Sequence, residues 1–169
     1  MIHLICGPIG AGKTTIAHKI SEDCGAIRFS EDEWLNILFI PDAPNTLLEQ
    51  PMEEIALWAS EKYLRCRRQI WHICQQLLTQ EIPIVLDGAA ANKEQRDEIR
   101  KKAIENNVGF QLHYVTSDKN TRKKRVFERN IEKGKTYSIE VTEDMFNKME
   151  IFFEAPKDEE LIGAEIIET

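Results

Sequence analysis

The sequence predicts an α/β fold in which helices flank a parallel β-sheet. Short apolar runs of β type recur after each helical pattern, at residues 2–6, 26–29, 82–86, 111–115 and 165–167. This alternation is typical of parallel sheets, whose strands are joined by helical crossovers. A glycine-rich motif between the first run and the first helical pattern supports the same fold class. Ligands of such sheets bind at the carboxyl ends of the strands, so the residues after each strand are the functional candidates.

Composition and charge restrict the class of protein and its partners. The chain has 169 residues and an ordinary globular composition, so we expect one domain over residues 1–169. The apolar runs fall short of the about eighteen residues that a membrane span needs, and the N-terminal run is too short for a signal peptide. We therefore expect a cytoplasmic protein without a membrane partner. A formal net charge of −7 weighs against a nucleic-acid partner, although basic residues cluster at 65–68, 96–102 and 122–135.

The four cysteines are predicted to be reduced thiols packed in the fold. They form no CxxC pair and no zinc-type spacing with the four histidines. In chain order they are Cys6, Cys24, Cys66 and Cys74. A structural metal is accordingly not expected.

Residues 7–14, GPIGAGKT, match the phosphate-binding pattern GxxxxGK[ST] at every fixed position. Glycines let the backbone turn closely, so that the amides at the start of the following helix point at phosphate oxygens. Lys13 is predicted to reach the β- and γ-phosphates, and the Thr14 hydroxyl to ligate Mg²⁺. A turn without a ligand is disfavoured because lysine, threonine and the strand-helix context coincide. The predicted nucleotide-binding residues here are Gly7, Gly10, Ala11, Gly12, Lys13, Thr14 and Thr15.

Two carboxylates follow predicted strands. Asp87 ends the third apolar run and precedes Gly88, a pattern typical of an aspartate that binds Mg²⁺ directly or through water. An ordinary Asp-Gly turn is the alternative. Asp32 follows the second run, where Ser30 and Glu33 have the spacing of a helix capping box. Asp32 is not needed for that cap, so it is a candidate to accept the hydroxyl proton of a phosphoryl acceptor.

Three arginines share one side of a predicted basic helix. Arg122, Arg125 and Arg129 lie at positions i, i+3 and i+7. They form either a solvated face or a set of contacts to phosphate oxygens and to the transferring group. The glycine- and lysine-containing segment at 132–137 is predicted to close over the nucleotide, as part of a lid spanning roughly residues 118–138.

Other helical patterns predict packing and a second pocket. An apolar stripe recurs every three to four residues over 52–80 and indicates a helix on the core. Its members are Ile55, Ala59, Tyr63, Cys66, Ile70, Ile73 and Leu77. Trp58 and three arginines of this helix line an acceptor pocket or form a solvated face; the arginines are Arg65, Arg67 and Arg68. Helices are also expected to begin at the caps Asn92 and Thr142. The last of these reaches Phe153, with packing through Met145, Met149, Phe152 and Phe153.

Together these motifs make the chain resemble the small P-loop kinases described as AAA-domain ATP-binding proteins or predicted kinases. That group is similar to chloramphenicol phosphotransferase, zeta toxins and the kinase domain of polynucleotide kinase. The resemblance spans essentially the whole chain and rests on GPIGAGKT, FSEDEW, VLDGAAANKEQRDEIR, RKKRVFERN, VTEDMF and FFEAPKDEE. It implies a three-layer α/β/α, mononucleotide-kinase-like fold with a five-stranded parallel sheet in the order 2-3-1-4-5 and a helical lid.

The same resemblance implies ATP and Mg²⁺ as cofactors and Asp32 as the general base. Arg125 and Arg129 match the lid arginines, and Arg122 is assigned to nucleotide binding. One position departs from the pattern, because polynucleotide kinases carry an arginine three residues after the base and this chain has Leu35. Leu35 and the net negative charge both weigh against a polynucleotide acceptor.

The expected activity is therefore transfer of the γ-phosphoryl group of ATP to a hydroxyl of an unidentified small molecule. One alternative is a polynucleotide 5′-hydroxyl kinase, and another is a nucleotide switch or ATPase without an acceptor. A GTPase would need an NKxD segment after a strand, whereas the near match at 147–150 lies in a helical pattern. Neither the acceptor nor the oligomeric state follows from the sequence.

Overall fold

The computed structural model describes residues 1–44, 46–88, 90–132 and 140–169. Within these ranges the chain alternates five strands with six α-helices: β1 Ile2–Cys6, α1 Lys13–Cys24, β2 Ile27–Ser30, α2 Glu31–Leu38, α3 Met52–Thr79, β3 Ile84–Asp87, α4 Lys93–Glu105, β4 Phe110–Thr116, α5 Lys119–Glu132, α6 Glu143–Phe152 and β5 Glu165–Glu168. The predicted α/β alternation is confirmed. Strand β3 begins two residues later than predicted, because Pro83 has no N–H to donate to a ladder.

All strand pairs of the sheet are parallel, and the order is β2-β3-β1-β4-β5, as predicted. In the register, Ile5 of β1 pairs with Asp87 of β3, and Asp87 pairs with Ser30 of β2. The carboxyl ends of these three strands therefore lie side by side. The topology places the segment after β1 and the segment after β2 on either side of Asp87.

Hydrophobic clusters cover both faces of the sheet and make the fold three-layered. Alternate residues of β1 face opposite sides, as period-two geometry requires. Leu4 packs with Ile70 of α3 and Ile99 of α4, whereas Ile5 packs with Ala17 of α1. Within the part of the chain that the structure describes, no helix combines the length and apolar character that a membrane span requires.

The predicted caps explain where three helices begin. The side chains of Ser30, Asn92 and Thr142 accept the backbone N–H groups three residues on, at the starts of α2, α4 and α6. The packing predicted for α6 is partly wrong, because Met149 and Phe152 are 47% and 75% exposed. Cys24 is likewise exposed, although the other three cysteines are buried as predicted.

Two buried histidines form a hydrogen-bonded chain on the α1 side of the sheet. His3 Nδ1 lies 3.0 Å from His113 Nε2, and His113 Nδ1 lies 2.8 Å from a carboxylate oxygen of Glu165. Burial lowers the pKa of His3, and the neighbouring His113 lowers it further. Burial also lowers the pKa of His113, against the opposing effect of Glu165. Both imidazoles are therefore favoured in the neutral form in the folded protein.

Lowering the pH is expected to destabilise the protein through these histidines. Unfolded histidine takes up a proton near pH 6.5, whereas the folded pair resists protonation, so the stability that the pair provides above about pH 6.5 is lost as the pH falls. The free energy of unfolding should fall between about pH 7.5 and 5.5 by at most about 1.4 kcal/mol per pH unit for each histidine. Urea unfolding of the wild type and of His3→Gln/His113→Gln tests this. The variant should show the shallower slope, and equal slopes would contradict the assignment.

Candidate active site

The segment 7–14 forms a turn that connects β1 to α1 and leaves little room for side chains. Gly10 has a φ of +76°, and a Cβ added there would lie 2.5 Å from the carbonyl oxygen of Arg122. A Cβ on Gly7 would overlap the Val115 carbonyl oxygen. The first turn of α1 follows at once, and amides in a first helical turn have no acceptor within their own helix. The backbone is thus arranged as a cradle for an anion.

Lys13, Thr14 and Asp87 come together where β1 and β3 end. Lys13 Nζ donates hydrogen bonds to the carbonyl oxygens of Gly7 and Pro8, at 2.9 Å and 3.0 Å. Burial lowers the pKa of Lys13, and the carboxylates of Asp32 and Asp87 oppose this shift. Thr14 follows Lys13 in the first turn of α1, and Asp87 ends β3, which pairs with β1. The ammonium therefore lies in the loop, close to both candidate carboxylates.

Asp87 is a buried carboxylate that is paired with an arginine. Its side chain accepts a 2.8 Å hydrogen bond from Arg28 of β2, whose guanidinium also pairs with Glu33. Burial raises the pKa of Asp87, whereas Arg28 and Lys13 act to lower it. Sequence reasoning missed Arg28. A charged residue inside an apolar strand run was the available signal, because a buried charge needs a partner.

Asp32 lies in the first turn of α2 and is exposed. One of its carboxylate oxygens, Oδ1, accepts a 2.6 Å hydrogen bond from the hydroxyl of Tyr63 on α3. Ser30 provides the cap of α2 through the Glu33 amide, so Asp32 has no capping role. Asp32 follows Ser30 by two residues, and Ser30 pairs with Asp87 in the sheet, so Asp32 lies at the same edge of the sheet as the loop. Its charge raises the pKa of both Lys13 and Asp87.

A small cleft borders the ends of β2 and β3. Its wall includes Arg67, which makes two 2.9 Å hydrogen bonds to the buried carboxylate of Glu31. Arg65 instead pairs with Glu61 on the exposed side of α3, and Arg68 is exposed. Of the three arginines considered for an acceptor pocket, Arg67 therefore lines this cleft.

The arginines of α5 take different partners around the loop. Arg122 is buried; it donates to the Ile9 carbonyl at 3.1 Å and pairs with Glu150 of α6. Arg125 donates to the Thr169 hydroxyl at 2.9 Å, and that hydroxyl donates to the carbonyl of the loop residue Ala11 at 3.0 Å.

The positive charge of Arg129 lowers the pKa of Lys13. The arginine-bearing part of the predicted lid is thus helix α5, whereas residues 133–138 of that lid lie outside the described residues.

The residues present fit Mg²⁺ and a nucleotide polyphosphate. Mg²⁺ takes hard oxygen ligands, commonly one or two carboxylates together with substrate phosphates. The hydroxyl of Thr14 and the carboxylate of Asp87 supply such oxygens at the ends of neighbouring strands. The glycine-lined loop and Lys13 supply the donors that a polyphosphate needs. Thr15 is exposed at the third position of α1, and its role in nucleotide binding stays a prediction.

The chain belongs to the AAA domain family, whose model matches residues 2–156. That span contains the loop, Asp32, Asp87 and the arginine-bearing helix α5. The resemblance inferred from the sequence is thereby confirmed. None of the curated proteins matches the chain.

Solved structures share this fold at low sequence identity. A sugar kinase from Janibacter sp. HTCC2649 has a TM-score of 0.63 at 14% identity, over 99% of this chain and 84% of that one. Kti12 of Chaetomium thermophilum, in complex with ADP-AlF3, has a TM-score of 0.68 at 13% identity, over 99% and 89% of the two chains. The APS kinase CysC of Mycobacterium tuberculosis, in complex with AMPPNP and APS, has a TM-score of 0.51 at 17% identity, over 82% and 75%. These likenesses confirm the three-layer P-loop fold.

Proposed function

We propose that this protein is a kinase that transfers the γ-phosphoryl group of ATP to a hydroxyl of a small molecule without negative charge. The observation that carries the proposal is the common placement of Lys13, Asp87 and Asp32 at one edge of the sheet, on three segments that follow or end neighbouring strands. A nucleotide site needs the first two residues, but a loop that only bound nucleotide would have no use for Asp32. A carboxylate beside the phosphate cradle is suited to take a proton from an acceptor.

In the proposed step the Asp32 carboxylate accepts the proton of the acceptor hydroxyl. The acceptor oxygen bonds to the γ-phosphorus, the bond from that phosphorus to the β,γ-bridging oxygen breaks, and ADP leaves with the bond's electrons. Lys13 and the loop amides hold the phosphates, while Arg125 and Arg129 of α5 balance the charge spread over the transferring group. Mg²⁺, held by Thr14 and Asp87, would neutralise phosphate charge when bound.

The charges around Asp32 support an acceptor without an anionic group. The guanidiniums of Arg28 and Arg67 border the ends of β2 and β3, but both are already paired with carboxylates. The carboxylates are Glu31 for Arg67, and Asp87 and Glu33 for Arg28. An anionic acceptor would have to compete with these carboxylates for the same cations, whereas a neutral or cationic hydroxyl compound would not. Leu35 stands at the position where polynucleotide kinases carry an arginine, and it also favours an acceptor without negative charge.

Release of ADP from Mg-ATP, with pooled acceptors, tests the proposal. The pools are nucleosides, neutral sugars, sugar acids, aminoglycoside and phenicol antibiotics, and a 5′-hydroxyl oligonucleotide. Asp32→Asn should lower acceptor-dependent release by about two to four powers of ten and leave the dissociation constant for ATP nearly unchanged. The reason is that the amide keeps the size of the side chain and cannot accept the proton.

Asp144→Asn is the matched control, because Asp144 is also an exposed aspartate in the second position of a helix, α6. It should retain wild-type activity. Equal activity of Asp32→Asn and wild type would remove Asp32 from the mechanism. A rate of ADP release that does not depend on any acceptor pool would favour an ATPase or switch. A rate raised by the oligonucleotide alone would favour a polynucleotide kinase.

A further inference from the structure

The hydroxyl of Tyr63 is the hydrogen-bond partner of the proposed base, and it reaches Asp32 from a different helix. Its 2.6 Å hydrogen bond joins the middle of α3 to the first turn of α2. The sequence pattern assigned Tyr63 to the packing stripe of α3, and its ring is indeed half-buried. Packing alone does not require the hydroxyl, so the hydroxyl needs a separate explanation.

The environment of Tyr63 keeps it a hydrogen-bond donor. Burial raises the pKa of Tyr63, and the charge of Asp32 raises it further. The phenol therefore stays protonated throughout the range in which enzymes work. A charge-assisted hydrogen bond of this kind is stronger than one between neutral groups.

Asp32 needs such a partner because nothing else in its own helix fixes it. The cap of α2 uses Ser30 and the Glu33 amide. Asp32 is exposed, and an exposed carboxylate samples several rotamers unless a partner selects one. A base must lie within hydrogen-bond reach of the proton that it abstracts. The bond from Tyr63 engages Oδ1 and leaves Oδ2 for an acceptor.

We infer that Tyr63 is a positioning residue for phosphoryl transfer, which holds Asp32 through Oδ1 so that Oδ2 faces the acceptor hydroxyl. This inference rests on the proposed function. It assigns Tyr63 no contact with nucleotide, and it makes the geometry of the base depend on helix α3. Removing the hydroxyl should therefore lower the rate of transfer without weakening nucleotide binding.

A double-mutant cycle tests the inference. Turnover of Mg-ATP is measured for wild type, Tyr63→Phe, Asp32→Asn and the double variant, with the responsive acceptor pool and, in parallel, with water alone. Tyr63→Phe should lower kcat by about ten-fold to a hundred-fold, as expected for loss of a hydrogen bond to a charged group. The KM for ATP should not change. The double variant should be as slow as Asp32→Asn, because Tyr63 acts through Asp32.

Tyr114→Phe is the control, since Tyr114 is a half-buried tyrosine of β4 whose ring stacks on Phe153. It should keep wild-type kcat. Wild-type kcat in Tyr63→Phe beside a slow Asp32→Asn would overturn the inference and leave the proposed function standing. Effects that multiply in the double variant would also overturn it, because they would indicate a general structural role. Wild-type kcat in Asp32→Asn would instead show that Asp32 is not the base, and the inference about Tyr63 would then fail as well.

Discussion

Gly10→Ala is expected to lower the affinity for Mg-ATP by about ten-fold to a hundred-fold, because displaced loop amides lose hydrogen bonds to the phosphates, each contributing about 1.5 to 3 kcal/mol. The φ of Gly10 is +76°, and its new Cβ would lie 2.5 Å from the backbone carbonyl oxygen of Arg122. A backbone oxygen in a helix cannot move aside as the end of a side chain can. The loop must therefore shift away from α5, and its amides shift with it. Calorimetric titration with Mg-ATP measures the loss.

The matched control separates steric overlap from backbone strain. Gly25 also has a positive φ, +61°, but a Cβ there would meet nothing within 4 Å. Gly25→Ala should therefore lose about 1 to 2 kcal/mol of stability from the left-handed backbone alone and bind Mg-ATP normally. Equal affinities of Gly10→Ala and wild type would show that the loop tolerates the displacement, against the cradle described above.

Arg96→Met is expected to lower the free energy of unfolding by about 3 to 5 kcal/mol, the usual cost of breaking a buried ion pair from one side. The side chain of Arg96 is fully buried, with two hydrogen bonds to Glu160 at 2.7 Å and 3.0 Å. It also donates to the carbonyl oxygens of Ala90 and Glu154. Its loss leaves the Glu160 carboxylate buried without its cation. Urea unfolding at neutral pH measures the change.

Arg100→Met on the same helix is the control. Arg100 pairs with Asp97 at the surface, where such pairs contribute about 0 to 1 kcal/mol. The double variant Arg96→Met/Glu160→Met should recover part of the lost stability, because no buried charge then remains. A loss in Arg96→Met no larger than in Arg100→Met would contradict the role assigned to the buried pair.

Much of the fold and part of the site could be predicted, because local patterns determine them. Apolar runs of five residues or fewer between helical patterns are enough to predict a parallel sheet, and the glycines of the loop are fixed by backbone geometry. Asp87 was identifiable because it ends a buried strand. Its position next to the segment that carries Lys13 and Thr14 then follows from the pairing of β1 with β3.

The partners of several charged and polar side chains could not be predicted, because they come from distant segments. Arg96 belongs to a basic stretch of the sequence, yet its carboxylate lies 64 residues further along the chain. The hydroxyl of Tyr63 finds Asp32 across 31 residues, and Arg28 finds Asp87 across 59. Helical or strand periodicity indicates which face a residue occupies. It does not indicate which residue of another element will lie opposite.

Phosphorus NMR of the reaction mixture distinguishes a kinase from an ATPase. The protein is incubated with Mg-ATP and the pooled small molecules, and the destination of the γ-phosphorus is followed over time. A kinase with Asp32 as its base should give a new phosphomonoester resonance that grows with ADP, appears with a neutral or cationic acceptor and is absent with Asp32→Asn. Inorganic phosphate as the sole product, formed at the same rate by both proteins, would contradict the account and indicate an ATPase.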